Sequence, residues 1–242
     1  MCSFNFNNQK KVQEKAFLNY SNNNPWPYDD VWHEKTRLII ENYVNLWTIK
    51  NIKKSDTCLN IGSGNTEYLI EGELIQMDIV EDYIKKYPNS IVGSIENIPL
   101  GNESVDSIIC VGSVINYCDA IRSISEIARV LKKSGKAVIE FERSNSSEFL
   151  FTNKHNSITF LKDYNYNNQK HFLWMYNEKF IIEILNQNGL KILSKHRFHT
   201  LSSLLYRMGV NEKKASKYSK YDSYLKLFSY PLSHNVLIEI KK

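Results

Sequence analysis

The chain has 242 residues, 42% hydrophobic and 24% charged, with a formal net charge of +5. That balance fits one α/β domain with a cap and excludes collagen-like and wholly disordered chains. No apolar run approaches the roughly 18 residues of a spanning helix, and the first residues lack a basic region followed by an apolar core, so a cytoplasmic chain with no signal peptide and no membrane contact is expected.

The first twenty residues are polar and mixed, with a short helix expected around 11–18. The stretch Asn24-Pro25-Trp26-Pro27-Tyr28-Asp29-Asp30 is rich in turn formers. Asp30 can cap a following helix in which Trp32, Leu38, Ile39, Tyr43, Leu46 and Trp47 recur at helical spacing. Residues 1–50 read as an N-terminal helical cap and 51–242 as the main domain.

From Asp56 short apolar runs alternate with helical patterns, the sign of a parallel sheet with crossovers. Strands are expected at 57–61, 74–78, 90–93, 105–111 and 136–142. A short helix is expected at 80–87, and another with Ile121, Ile124, Ala128 and Leu131 on its inner face, ending in Lys132-Lys133-Ser134-Gly135. Residues 144–176 break the alternation: 158–160 and 172–174 can pair as a hairpin, an insert suited to a lid over the substrate. Asn177 caps a helix ending at Gly189, a sixth strand spans 191–198, helical segments fall at 201–208 and 212–228, and 235–240 alternates as an antiparallel last strand. Lys213, Lys214, Lys217 and Lys220 fit the wet face of the last helix, so nucleic acid is not indicated. Cys2, Cys58, Cys110 and Cys118 form no CxxC pair. Neither a metal site nor a disulfide framework is expected from them.

The chemistry-bearing segment is Cys58-Leu59-Asn60-Ile61-Gly62-Ser63-Gly64. An apolar strand running into Gly-x-Gly lets the backbone approach a ligand with no Cβ in the way. Asp78 closes the next strand, where a carboxylate can accept from both hydroxyls of a ribose. The third glycine of the dinucleotide fingerprint is replaced by Glu67, which argues against a nicotinamide cofactor. Later strands exit into Gly93-Ser94-Ile95-Glu96 and into Cys110-Val111-Gly112, followed by Asn116-Tyr117.

On these residues the sequence resembles the class I S-adenosylmethionine-dependent methyltransferases of small-molecule type, well over 28–145 and more weakly beyond. The resemblance implies a Rossmann-like, doubly wound, mostly parallel seven-stranded sheet with an antiparallel last strand, plus an N-terminal helical cap and an insert after the fifth strand. It implies S-adenosyl-L-methionine held by Asn60, Gly62, Ser63 and Gly64 at its methionyl part, by Asp78 and Ile79 at the ribose, and by Ser94, Ile95 and Glu96 at the adenine. Cys110, Val111, Gly112 and Tyr117 would line the cofactor, with Tyr28 and Trp32 closing over it. Two departures stand out. Ser94 replaces a usual aspartate, removing a charged acceptor worth about 1.5–3 kcal/mol. The stretch from Gly64 to Asp78 is short for a full crossover helix, so an irregular loop or truncated helix is expected there.

The implied reaction is in-line methyl transfer to a small-molecule acceptor, driven by proximity and exclusion of water. Of six histidines, His199 and then His171 are the candidates for a base, from their places at a strand end and beside the hairpin; His33 reads as a solvated residue of the first long helix. The alternatives are an RNA methyltransferase, and a non-catalytic or non-methylating homologue that binds the same cofactor.

Overall fold

The computed structural model describes residues 6–22, 31–166, 169–225 and 230–242. The strands β1 (Thr57–Ile61), β2 (Glu73–Asp78), β3 (Ser90–Val92), β4 (Val105–Cys110) and β5 (Leu131–Glu142) pair in parallel in the order β3-β2-β1-β4-β5. Beyond β5 lie β9 (Asn235–Lys241) and then β8 (Lys191–Phe198). The last strand, β9, is antiparallel to both neighbours, which completes a seven-stranded, mostly parallel sheet. The chain winds outward from β1 to β3, then returns to β4. The carboxyl ends of β1 and β4 therefore flank a topological switch point, where open α/β sheets bind ligands.

The strand sequences explain why the sheet is covered on both faces. In β4, Ile108 packs with Ile124 and Ile127 of α4 (Ala120–Val130), whereas Ile109 packs with Ile40, Val44 and Trp47 of α2 (Val31–Asn51). Leu59 and Cys58 divide in the same way. Near-continuous burial along a strand is the consequence of two covered faces. Asp119 caps α4 by accepting from the amides of Ile121 and Arg122, and Asn177 caps α5 (Glu178–Gln187) by accepting from Lys179. Gly189 closes α5 at φ +73°.

The expected insert is a hairpin, β6 (Thr159–Tyr166) with β7 (Gln169–Tyr176), around a small cluster of Phe149, Phe160, Leu173 and Met175. At the front of the chain, α1 (Phe6–Asn22) is longer than expected. Residues Trp26, Tyr28 and Asp30 lie outside the described residues.

Local differences have physical reasons. No helix forms at 63–72, in keeping with the short spacing, and α3 shrinks to Glu81–Ile84. Lys132-Lys133-Ser134-Gly135 do not end a helix in place; β5 starts at Leu131, straight after α4. There Lys132 Nζ reaches Asp106 at 2.8 Å and the Ser134 amide donates to Lys242 O at 3.0 Å, long-range contacts invisible to local pattern. Near the C-terminus, α6 (Thr200–Arg207) precedes α7 (Glu212–Ser216), and a 3-10 segment replaces the continuation of that helix at 217–225. Among the described residues no helix is long and apolar enough to cross a membrane. Cys58, Cys110 and Cys118 are free and buried, and burial pushes their thiols up, away from thiolate chemistry.

Candidate active site

A cavity of about 540 Å³ opens along the carboxyl ends of β3, β2, β1, β4 and β5. This volume lies within the range of about 300–1,000 Å³ usual for small-molecule sites. Its floor is the turn after β1. Gly62 and Gly64 sit at φ +61° and +53°, the left-handed region that glycine enters without strain. A Cβ built on Gly62 would stand 2.3 Å from Val114 Cγ2, so position 62 has no room for a side chain while Val114 stays in place. The Ser63 amide donates to Met77 O at 3.1 Å and the Gly64 amide to Asp78 Oδ2 at 2.8 Å, which ties the turn to the end of β2. Behind the turn, Asn60 Nδ2 donates to Gln76 Oε1 at 2.9 Å.

Asp78 also accepts from the Val80 amide, at 2.9 Å through Oδ1. Burial pushes its carboxyl up from the usual range, and the amides of Val80, Gly64 and Ile79 pull it partly back. At the β3 exit, Ser94 Oγ accepts from the Glu96 amide at 3.2 Å, so the serine closes its own turn. The turn beyond is held from α4: Glu126 accepts from the Ile98 amide at 2.8 Å, and Arg129 donates to the carbonyls of Ile98 and Leu100.

At the β4 exit the amides of Gly112 and Ser113 both donate to Glu140 Oε2, at 3.0 and 2.7 Å. Glu140 is wholly buried on β5, and its Oε1 accepts from Asn235 at 2.7 Å. Burial and the nearby Glu142 push its carboxyl up to about 7, against the hydrogen bonds. Glu142, the last residue of β5, behaves oppositely. Against the cost of partial burial, His234 and Lys162 hold its carboxyl down at about 2. His234 Nε2 lies 3.1 Å from Glu142 Oε2 and its Nδ1 lies 3.1 Å from Ser146 Oγ; Lys162 pairs with Glu148 at 2.8 Å. The Ser113 hydroxyl donates to Glu142 Oε1 at 3.2 Å.

The roof comes from α1. Tyr20 and Tyr117 share a hydroxyl contact of 2.8 Å, and Tyr83 Oη donates to Tyr20 O. Gln9 donates to Glu96 Oε1 at 2.7 Å and accepts from Trp174 Nε1 at 2.6 Å. Two turns along the helix, Ala16 and Tyr20 face the cavity.

Asn60, Gly62, Ser63, Gly64, Asp78, Ile79, Ser94, Ile95, Val111, Gly112, Tyr117 and Trp32, all expected at the cofactor, line this one cavity. Two others do not. Glu96 turns away to accept from Gln9 and from the Asp119 amide at 2.6 Å, and Cys110 is sealed in the core. Tyr28 lies outside the described residues. The two histidines nominated as a base are also elsewhere. His199 is wholly buried under Trp32, with ring centroids 4.5 Å apart, and its Nε2 is 2.9 Å from Thr36 Oγ1; burial lowers it to about 3. His171 is buried on β7 and lowered by burial to about 4. Instead, His33 and His234 reach the cavity wall, together with Glu142, Glu148, Lys162 and Tyr206. Strand-end position carried a signal for Glu142; nothing local marks the others, because their elements meet only in the fold.

Residues 59–139 match the methyltransferase domain family. An uncharacterised protein of Methanocaldococcus jannaschii is 32% identical over 114 residues, 45% of this chain and 44% of that one. An uncharacterised methyltransferase of Schizosaccharomyces pombe is 34% identical over 109 residues, 40% and 43% of the two chains. The chain thus spans less than half the length of these curated relatives. Among solved structures, the 1,6-didemethyltoxoflavin N1-methyltransferase of Burkholderia thailandensis, with its acceptor and S-adenosylhomocysteine bound, superposes with a TM-score of 0.56. It is 11% identical, and the match covers 98% of this chain and 89% of that one. The matched methyltransferase domain thus spans β1 to β5, and the chain shares its fold with that structure. The β6–β7 hairpin follows β5, and α1 roofs the cavity.

Proposed function

We propose that the chain transfers a methyl group from S-adenosyl-L-methionine to a small-molecule acceptor. The observation that carries this reading is one cavity whose floor is a glycine-flanked turn backed by a buried acid, and whose wall runs on past the β4 exit to Glu142, Glu148, Lys162 and His234. The residues present fit the cofactor. Gly62, Ser63 and Gly64 would take the methionyl part and Asp78 the ribose, with Gly93, Ser94 and Ile95 around the adenine. When bound, the cofactor supplies a methyl already activated on a sulfonium.

The chain's own part is then to align and to exclude water, which together are worth about 7–11 kcal/mol in well-oriented reactions. Tyr20, Tyr83 and Tyr117 close the roof, and the β6–β7 insert acts as a lid over the acceptor. Glu140 holds Gly112 and Ser113 in place between the two halves. A cavity of about 540 Å³ with an acidic wall favours a small molecule over RNA, and the Burkholderia enzyme of the same fold is a 1,6-didemethyltoxoflavin N1-methyltransferase.

Calorimetric titration with S-adenosylhomocysteine tests the reading, and Asp78→Ala is expected to weaken binding more than tenfold through loss of the ribose acceptor and of the bond to Gly64. An unchanged affinity would remove Asp78 from the site; no binding to the unaltered chain would remove the cofactor.

A further inference from the structure

The whole chain is basic, at +5, yet the described cavity wall is acidic: Asp78, Glu142, Glu148, Asp163 and Glu212 face one lysine, Lys162. Most of these charges are accounted for inside the protein. Lys162 pairs with Glu148 at 2.8 Å and Lys170 with Asp163 at 2.8 Å. Asp78 is held by backbone amides and stands at the proposed ribose position. Glu142 is different. It stands on β5, three strand spacings from Asp78, or about 14 Å at 4.8 Å per strand. Its hydrogen-bond partners are the Ser113 hydroxyl and a His234 nitrogen, and among the described residues no lysine or arginine comes within 4 Å of it.

Glu142 and Glu148 share Lys162 and His234 between them, so two carboxylates meet one permanent cation, and a cationic ligand would balance the excess negative charge. Beside Glu142 the wall is aromatic. The Trp32 and His234 rings meet edge to face at 6.0 Å, and Trp32 and Tyr206 lie 6.3 Å apart. A carboxylate next to aromatic rings in a half-closed pocket is the chemistry that recognises organic cations.

Resting on the methyltransferase reading above, we propose that the acceptor is a small organic cation, an amine or quaternary ammonium compound whose charged nitrogen docks on Glu142 against Trp32 and Tyr206. The assignment concerns recognition: the docked nitrogen, which has no free electron pair, anchors the acceptor, and a second, nucleophilic atom of the same molecule takes the methyl at the β4 exit.

Three probes with a phenyl ring and different charge test this: benzyltrimethylammonium, benzylamine and benzoate. Each is titrated by calorimetry into the full chain, with and without saturating S-adenosylhomocysteine, so that absence of cofactor binding is scored separately as failure of the methyltransferase reading. The two cations are expected to bind at least tenfold more tightly than benzoate. In Glu142→Gln that preference is expected to fall at least tenfold. Equal or tighter binding of benzoate, or no binding of either cation at millimolar concentration, overturns the proposal on the unaltered chain, whatever the variant does. A preference unchanged in a folded Glu142→Gln chain overturns it too. So does a loss of affinity for S-adenosylmethionine alone, with cation binding intact, since the carboxylate would then serve the sulfonium.

Discussion

His199 shows what a residue's neighbours decide and its position in the sequence does not. At the end of β8 it reads as a rim residue, open to substrate. In the fold, α2 crosses over it: Trp32 stacks on one face, Thr36 takes Nε2, and Ser202 Oγ lies 3.4 Å from Nδ1. The imidazole is thereby a structural peg between α2 and α6. His199→Ala is expected to lose about 2–4 kcal/mol of stability, from the void left beneath Trp32 and the lost bond to Thr36, whose hydroxyl keeps its bond to Trp32 O. Urea unfolding measures this, and S-adenosylhomocysteine affinity at low temperature should stay within threefold. A variant as stable as the parent but inactive would return His199 to the chemistry. Asp78 and the Gly62–Gly64 turn, in contrast, were legible because their requirement is local: a backbone with no Cβ, followed one strand later by an acid. His234 was not, since its partners Glu142 and Ser146 lie about ninety residues away in sequence.

At the level of elements, periodicity revealed most strands and the hairpin, and residue counting exposed the missing crossover helix after Gly64. The roof was less legible. A polar mixed helix gives no sign of its target, and α1 is fixed by a few specific bonds rather than by a broad apolar stripe. Gln9 is the centre of that fixation, bonding Glu96, the Tyr117 carbonyl and Trp174 Nε1. Gln9→Ala leaves the Trp174 N–H and one Glu96 acceptor site without their partner in a buried setting, at a cost of about 1–3 kcal/mol. The loss falls on docking of α1, because the sheet keeps all its own pairings. Hydrogen exchange by mass spectrometry should therefore show α1 amides exchanging faster, with β1, β4 and β5 unchanged. Faster exchange spread evenly over the sheet would mean that α1 is part of the global core.

Across the whole molecule, the buried titrating groups fix how stability depends on pH. His199 and His171 have folded values near 3 and 4, below the unfolded value of about 6.5. Between pH 5 and 6.5 each takes up a proton on unfolding, so each makes stability fall as pH falls. Glu140 is reversed: raised to about 7 from an unfolded value near 4.5, it holds a proton in the fold over that window and releases it on unfolding. Its contribution is present at low pH and lost as pH rises through 7. Near pH 5 nearly two protons taken up against most of one released leave about one net from these three groups, a slope of about 1.4 kcal/mol per pH unit that flattens toward pH 6.5, where the unfolded histidines are half protonated. Glu142, held near 2, adds its own loss only below pH 4.5. In Glu140→Gln the opposing proton disappears and the slope steepens by about 1 kcal/mol per unit across this window. The substitution suits the site, because the glutamine carbonyl can still accept from Gly112 and Ser113, and Asn235 can turn its Oδ1, without a partner among the described residues, toward the new amide. Urea unfolding of both proteins at four pH values between 5 and 6.5 measures the two slopes. Parallel lines would show that Glu140 does not carry a proton in the fold, and that the clamp on the β4 exit is a carboxylate throughout.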